Sequence, residues 1–282
     1  MTMQVFNTHH FNAQAIADEL LTGSGAVLIK QLFSNAQIRQ ARTAILTHSN
    51  QQSDKTATHF QGAAEKNNTL HLQRRVWNLL VKGQVFIDMA QQPLVMAVMR
   101  KFLGDEFIMG SIAANRLLPG GPGQEPHIDY PYWDIYNQSS FPMSIAANFP
   151  LNAQVTIMLD DFTEKNGASA YVPKSYKTLR YPQKEDNFFD KCERMLGEAG
   201  DAVIFFGALW HCAMPNHSND DRSAVLVQYL PKFIVPMEDL TYALPADFIH
   251  NASPMLKQLL SQNIPYPQRL DILKQGNTIG TN

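Results

Sequence analysis

Within "EPHIDYPYW" (residues 125–133), His127 and Asp129 stand two positions apart. In extended chain, side chains at i and i+2 leave the same face, so an imidazole nitrogen and a carboxylate oxygen can reach one cation together. Among nine histidines such a pair arises readily by chance, and alone it decides nothing. His211 adds to it, because it lies in the apolar segment "LWHCAMP", where an imidazole is either satisfied by a backbone carbonyl or recruited as a ligand. Arg222 opens "RSAVLVQYL", which otherwise reads as a core strand. A guanidinium does not deprotonate and demands an anion there, either a bound acid or its neighbours Asp220 and Asp221. A hairpin turning about "PNHS" would set His211 opposite Arg222. Two histidines and one carboxylate leave coordination positions open, the arrangement associated with non-haem Fe(II) oxygenases. A fixed arginine nearby suits a dicarboxylate.

These residues need a scaffold, and the pattern along the chain describes one. "FNAQAIADELLTG" has helical spacing and stops at glycine, "GAVLIKQLF" reads as a strand, and "SNAQIRQARTAILTHS" reads as a helix opening on Ser34. A polar, aperiodic stretch from Ser49 to Asn68 suggests a loop able to act as a lid, and "QPLVMAVMRKFLG" is a helix closed by Gly104. From Glu106 onward β-favouring segments succeed one another: "EFIMGSIAANRLL", "AQVTIMLDDF", "ASAYVP", "DAVIFFG", "LWHCAMP" and "SAVLVQYLP". The expectation is one domain over 1–282, mainly β with flanking helices. Its parts are a helical region to about 104, a jelly-roll core over about 105–235, and helix and loop from 236 ending in a frayed "KQGNTIGTN".

Composition excludes several classes. A formal charge of -2, with basic residues scattered apart from Arg74–Arg75, gives no grip for nucleic acid. Apolar runs are too short to cross a bilayer, two cysteines cannot build a disulfide framework, and the N-terminal stretch lacks a secretory pattern. A cytoplasmic protein acting on a small molecule is expected, as monomer or homodimer. Neither a Ser-His-Asp set nor a phosphate loop is apparent.

At "PGGPGQEPHID", "NGASAYVPKS" and "EAGDAVIFFGALWHCAMPN" the sequence resembles the phytanoyl-CoA dioxygenase-like family of Fe(II)/2-oxoglutarate oxygenases, over roughly residues 20–232. The resemblance implies a double-stranded β-helix (jelly-roll, cupin-like) core, with Fe(II) held by His127, Asp129 and His211. It further implies 2-oxoglutarate held by Arg222 with Asn115 and Thr156 nearby, O2 as oxidant, and succinate and CO2 as co-products. Tyr176 and Ala224 depart from that pattern, standing where related sequences often have histidine and serine. Because Asp129 keeps a carboxylate where related halogenases carry a small residue, hydroxylation is favoured over halogenation.

Tyr130, Tyr132, Trp133 and Gln154 are the residues most open to a substrate role, against core packing as the ordinary alternative. Tyr136 and Met158 share that ambiguity, Trp210 should point away from the metal, and His59 falls in the expected lid. No basic cluster marks a CoA tail, so a free metabolite or natural-product intermediate is the expected substrate. Desaturation or epoxidation would use the same residues. The rivals are a zinc hydrolase on the same three ligands, and a non-catalytic jelly-roll binding module.

Overall fold

The computed structural model describes residues 3–51, 70–136, 146–242 and 244–262. Helix α1 (Ala13–Thr22) starts where Asn12 Oδ1 accepts from Ala15 N at 3.1 Å, and ends at Gly23. Helix α2 (Asn35–Gln51) opens on the expected serine: Ser34 Oγ and N both donate to Gln37 Oε1, at 2.9 and 3.0 Å. Its buried positions Ile38, Ala41, Ile45 and Ser49 fall three or four apart, so one stripe of α2 faces the protein. The helix Pro93–Leu103 is closed by Gly104 at φ +93, a left-handed conformation that glycine adopts without strain.

The described residues form ten strands in chain order: β1 (Gln4–Asn7), β2 (Ala26–Lys30), β3 (Gln73–Val76), β4 (Ile108–Leu117), β5 (Ala153–Met158), β6 (Ala170–Tyr171), β7 (Glu193–Arg194), β8 (Ala202–Phe206), β9 (His211–Cys212) and β10 (Arg222–Leu230). Seven form one sheet in the order β1-β2-β8-β5-β10-β4-β3, antiparallel except for the β1–β2 edge. The other three form a small sheet, β7-β6-β9. Every β segment expected after Glu106 is present, in a jelly-roll arrangement of a large and a small sheet. The part before residue 104 is less purely helical than expected: it contributes β1, β2 and β3 to the large sheet. Strands β1 and β3 were missed because short polar runs such as "QVFN" and "QRRV" carry no apolar alternation to mark them.

One apolar cluster runs from Ile16 to Leu260, filling the space between the large sheet and its helices. The proposed lid lies outside the described residues apart from Ser49, Asn50 and Gln51, which end α2; His59 and the C-terminal tail also lie outside. Among the described residues no helix is long and apolar enough to cross a membrane.

Candidate metal and dicarboxylate site

The His-x-Asp pair is not in a regular strand. His127 makes a single antiparallel bridge with His211, each backbone N–H donating to the other's carbonyl at 3.0 Å, and Asp129 N donates to Gly207 O at 2.9 Å. The chain is extended across these residues, so Ile128 turns into the core while its neighbours turn the other way. The bridge adds His127 to the edge of the small sheet and brings the two imidazoles to 4.4 Å between ring centroids. Residues 84 positions apart thus become neighbours through two backbone hydrogen bonds.

Ring orientation is fixed identically at both positions. His127 Nδ1 lies 2.7 Å from Glu125 O and His211 Nδ1 lies 2.8 Å from Leu209 O, so each Nδ1 carries the proton and each Nε2 keeps its lone pair. Both Nε2 atoms point at one carboxylate: His127 Nε2 is 4.0 Å from Asp129 Oδ1 and His211 Nε2 is 3.5 Å from Asp129 Oδ2. These gaps are too long for hydrogen bonds and match ligands that share a cation at bonds of about 2.1 Å. One donor atom from each residue falls within 4.8 Å of the others. Burial, reinforced by the facing His211, pushes His127 down to about 4, so its imidazole is neutral and able to coordinate at neutral pH. The donor set fits a divalent metal.

These residues open on a cavity of about 120 Å³ between the two sheets. From the large sheet Ser111, Gln154, Thr156, Leu226 and Gln228 face it; from the small-sheet side come Ser169, Met195 and Ala213. Trp133 also lines it, together with Gln124 and Arg75, neither of which sequence reasoning singled out. Arg75 lies on β3 opposite Asn115, and burial lowers its guanidinium to about 10, against support from Glu238 and Asp129. The signal for it was the lone basic doublet Arg74–Arg75, whose second member points inward once β3 is recognised.

Arg222 and Asn115 are not among the cavity walls. They lie further along the same sheet face, since positions 222, 224, 226 and 228 of β10 alternate with outward ones, and 115 follows 111 and 113 on β4. Arg222 is 3% exposed; its Nη1 donates to Gly167 O at 2.7 Å and its guanidinium carbon stands 4.4 Å from the Phe162 ring centre. Among the described residues its Nε has no hydrogen-bond partner, nor has Asn115 Oδ1. Burial lowers Arg222 to about 10, still charged at neutral pH. Among the described residues no carboxylate pairs with it, which leaves a buried cation with donor capacity to spare.

Three expectations are corrected. The hairpin that would set His211 opposite Arg222 does not form, because β9 pairs with β6 in the small sheet while β10 lies between β5 and β4 in the large one. Tyr132 is not a cavity wall: it is fully buried, its hydroxyl donating to Phe149 O at 2.9 Å and accepting from Leu151 N at 2.6 Å. Tyr130 directs its hydroxyl to Val235 O at 2.8 Å and is likewise not a wall residue. Met158 is core, and Trp210 points away from the cavity with its Nε1 on Arg180 O.

Comparison with known proteins settles the family. The model for "Phytanoyl-CoA dioxygenase (PhyH)" matches residues 22–224, well over half of the chain. The chain belongs to the PhyH family. Among curated relatives, dioxygenase af480 of Aspergillus fumigatus is 28% identical over 66% of this chain and 58% of its own length. Dioxygenase trt7 of Aspergillus terreus is 24% identical over 86% and 82%. The Fe(II)/2-oxoglutarate-dependent dioxygenase nvfF of Aspergillus novofumigatus is 26% identical over 67% and 61%. The chain therefore spans a little under three fifths of af480, and most of trt7. The crystal structure of the non-heme alpha ketoglutarate dependent epimerase SnoN from nogalamycin biosynthesis superposes with a TM-score of 0.59 at 15% identity, covering 78% of this chain and 81% of that one. That likeness establishes a shared fold.

Proposed function

We propose that this PhyH protein is an Fe(II)- and 2-oxoglutarate-dependent dioxygenase that hydroxylates a C–H bond of a small metabolite or natural-product intermediate. The observation that carries the reading is the convergence of two Nε2 lone pairs, both aimed by Nδ1-to-carbonyl bonds, on the Asp129 carboxylate in a cavity. His127, Asp129 and His211 hold the metal. When bound, Fe(II) supplies O2 activation coupled to decarboxylation of 2-oxoglutarate to succinate and CO2.

The remaining residues bind, orient and exclude water. Arg222 offers its unpartnered Nε to the far carboxylate of 2-oxoglutarate, inside a wall where Phe162 shields the charge from solvent. Thr156 and Asn115 flank the same sheet face as hydrogen-bonding groups, and Arg75 places a second cation within electrostatic reach of Asp129. Trp133 and Gln154 hold the substrate against the cavity wall. Asp129 would give the metal a protein carboxylate as a ligand, and a centre held in that way would supply hydroxylation chemistry in preference to halogenation. A zinc hydrolase would leave the buried Arg222 without a counter-ion.

The test is anaerobic titration of the protein with Fe(II) and 2-oxoglutarate, followed in the visible. A weak charge-transfer band is expected in the wild type and its loss in His127→Ala and His211→Ala. A wild type that binds Fe(II) but shows neither the band nor any 2-oxoglutarate affinity overturns the reading.

A further inference from the structure

The inference rests on the dicarboxylate role proposed for Arg222 and concerns what keeps that arginine available. Strands β5 and β10 are antiparallel with Met158 opposite Ala224, and Leu159 N continues the ladder to Ser223 O at 3.1 Å. Strand β5 ends at Met158, and Asp160, two residues on, stands near enough for its charge to act on Arg222. An acid this close to a buried arginine is its natural partner. Here the two do not pair. Asp160 spends one oxygen on Arg42 Nε at 2.5 Å and the other on Ser223 N at 2.8 Å.

Arg42 comes from α2, which crosses the sheet at this end, and it reaches a second acid: its Nη2 lies 3.4 Å from Asp221 Oδ1. Asp221 Oδ2 in turn accepts from Arg116 Nε at 2.5 Å. The residues on both sides of Arg222 are therefore held, Asp221 through its side chain and Ser223 through its N–H, while the acids are neutralised by Arg42 and Arg116. The charge of Asp160 still acts on Arg222 through space and favours its protonated form. Its oxygens are engaged elsewhere.

We propose that Arg42 is a positioning residue for the dicarboxylate anchor: it draws Asp160 and Asp221 to the helix side of the sheet, so that Arg222 stays free for a carboxylate ligand. Without Arg42, Asp160 turns to Arg222 and competes with that ligand as an internal mimic. Because a competing carboxylate is abolished by neutralising it, Asp160→Asn reverses the loss caused by Arg42→Gln. A purely structural role gives additive losses.

The test measures 2-oxoglutarate affinity in anaerobic Fe(II) protein for wild type, Arg42→Gln, Asp160→Asn and the double variant, with Fe(II) affinity measured in parallel. Arg42→Gln is expected to weaken 2-oxoglutarate about tenfold with Fe(II) affinity unchanged, and the double variant to recover most of the loss. Wild-type affinity in Arg42→Gln, or a double variant as weak as or weaker than Arg42→Gln, overturns the proposal. Should Arg42→Gln fail to fold, Arg42→Lys with and without Asp160→Asn provides the same comparison. Absence of 2-oxoglutarate binding in the wild type removes the functional reading itself, and is thereby distinguished from failure of this inference alone.

Discussion

At the scale of single residues, the metal ligands and the arginine make separable predictions because they act on different parts of the same complex. Replacing His127 or His211 by alanine removes one of three donors, and Fe(II) binding should fall by two orders of magnitude or more in calorimetric titration. Arg222 touches no metal ligand, so Arg222→Met should leave Fe(II) affinity intact. It should weaken 2-oxoglutarate by between about tenfold and a hundredfold, as expected for a charge-assisted contact of roughly 1.5–3 kcal/mol. Arg222→Lys should recover only part of this, because an ammonium lacks the planar fork that meets a carboxylate with two parallel bonds. Equal losses of metal and 2-oxoglutarate in Arg222→Met would show instead that the arginine supports the fold.

At the scale of elements, the loop between β5 and β6 carries the backbone that orients this arginine. Gly167 accepts from Arg222 Nη1 and has φ +81, and a Cβ placed on it would lie 2.4 Å from Met214 O. Gly167→Ala therefore meets both backbone strain and a clash with a rigid carbonyl, a cost on the order of 1–3 kcal/mol. Melting should fall by roughly 2–4 °C per kcal/mol, and 2-oxoglutarate affinity should drop with it while Fe(II) affinity holds. The elements that place the site were largely legible: β-favouring apolar runs marked β4, β5, β8 and β10, and Ser34 and Gly104 marked helix ends. Their partners were not. Strand pairing is decided between segments far apart in sequence, so the short loop after His211 suggested a hairpin to Arg222 that the two-sheet arrangement denies. For the same reason Tyr132 read as a cavity aromatic, although it is buried with its hydroxyl held between Phe149 O and Leu151 N. Arg75 escaped notice because β3 carries too little apolar pattern to reveal which arginine of the doublet turns inward.

At the scale of the whole molecule, the two histidines of the proposed metal site and the arginine belong to different sheets. His211 lies on β9, and His127 is bridged to it at the small-sheet edge, with Asp129 held by Gly207; Arg222, Asn115 and Thr156 belong to the large sheet. On the proposed reading a metal alone would be held by the His127, Asp129 and His211 cluster, whereas 2-oxoglutarate would need both that metal and Arg222, and so residues of both sheets. Ligands that bind only the folded state stabilise it by about 2.7 kcal/mol at a hundred times their dissociation constant. Fe(II) under anaerobic conditions should raise the melting temperature, and 2-oxoglutarate should add a further increment only when metal is present, since without it one end of the dicarboxylate has no partner. In Arg222→Met the first increment should persist and the second should shrink or vanish, while His211→Ala should lose both. Differential scanning calorimetry with and without a chelator measures each increment. A 2-oxoglutarate increment that survives the chelator at full size would mean that the acid binds independently of the His127, Asp129 and His211 cluster, and that the two sheets are not joined through one shared ligand.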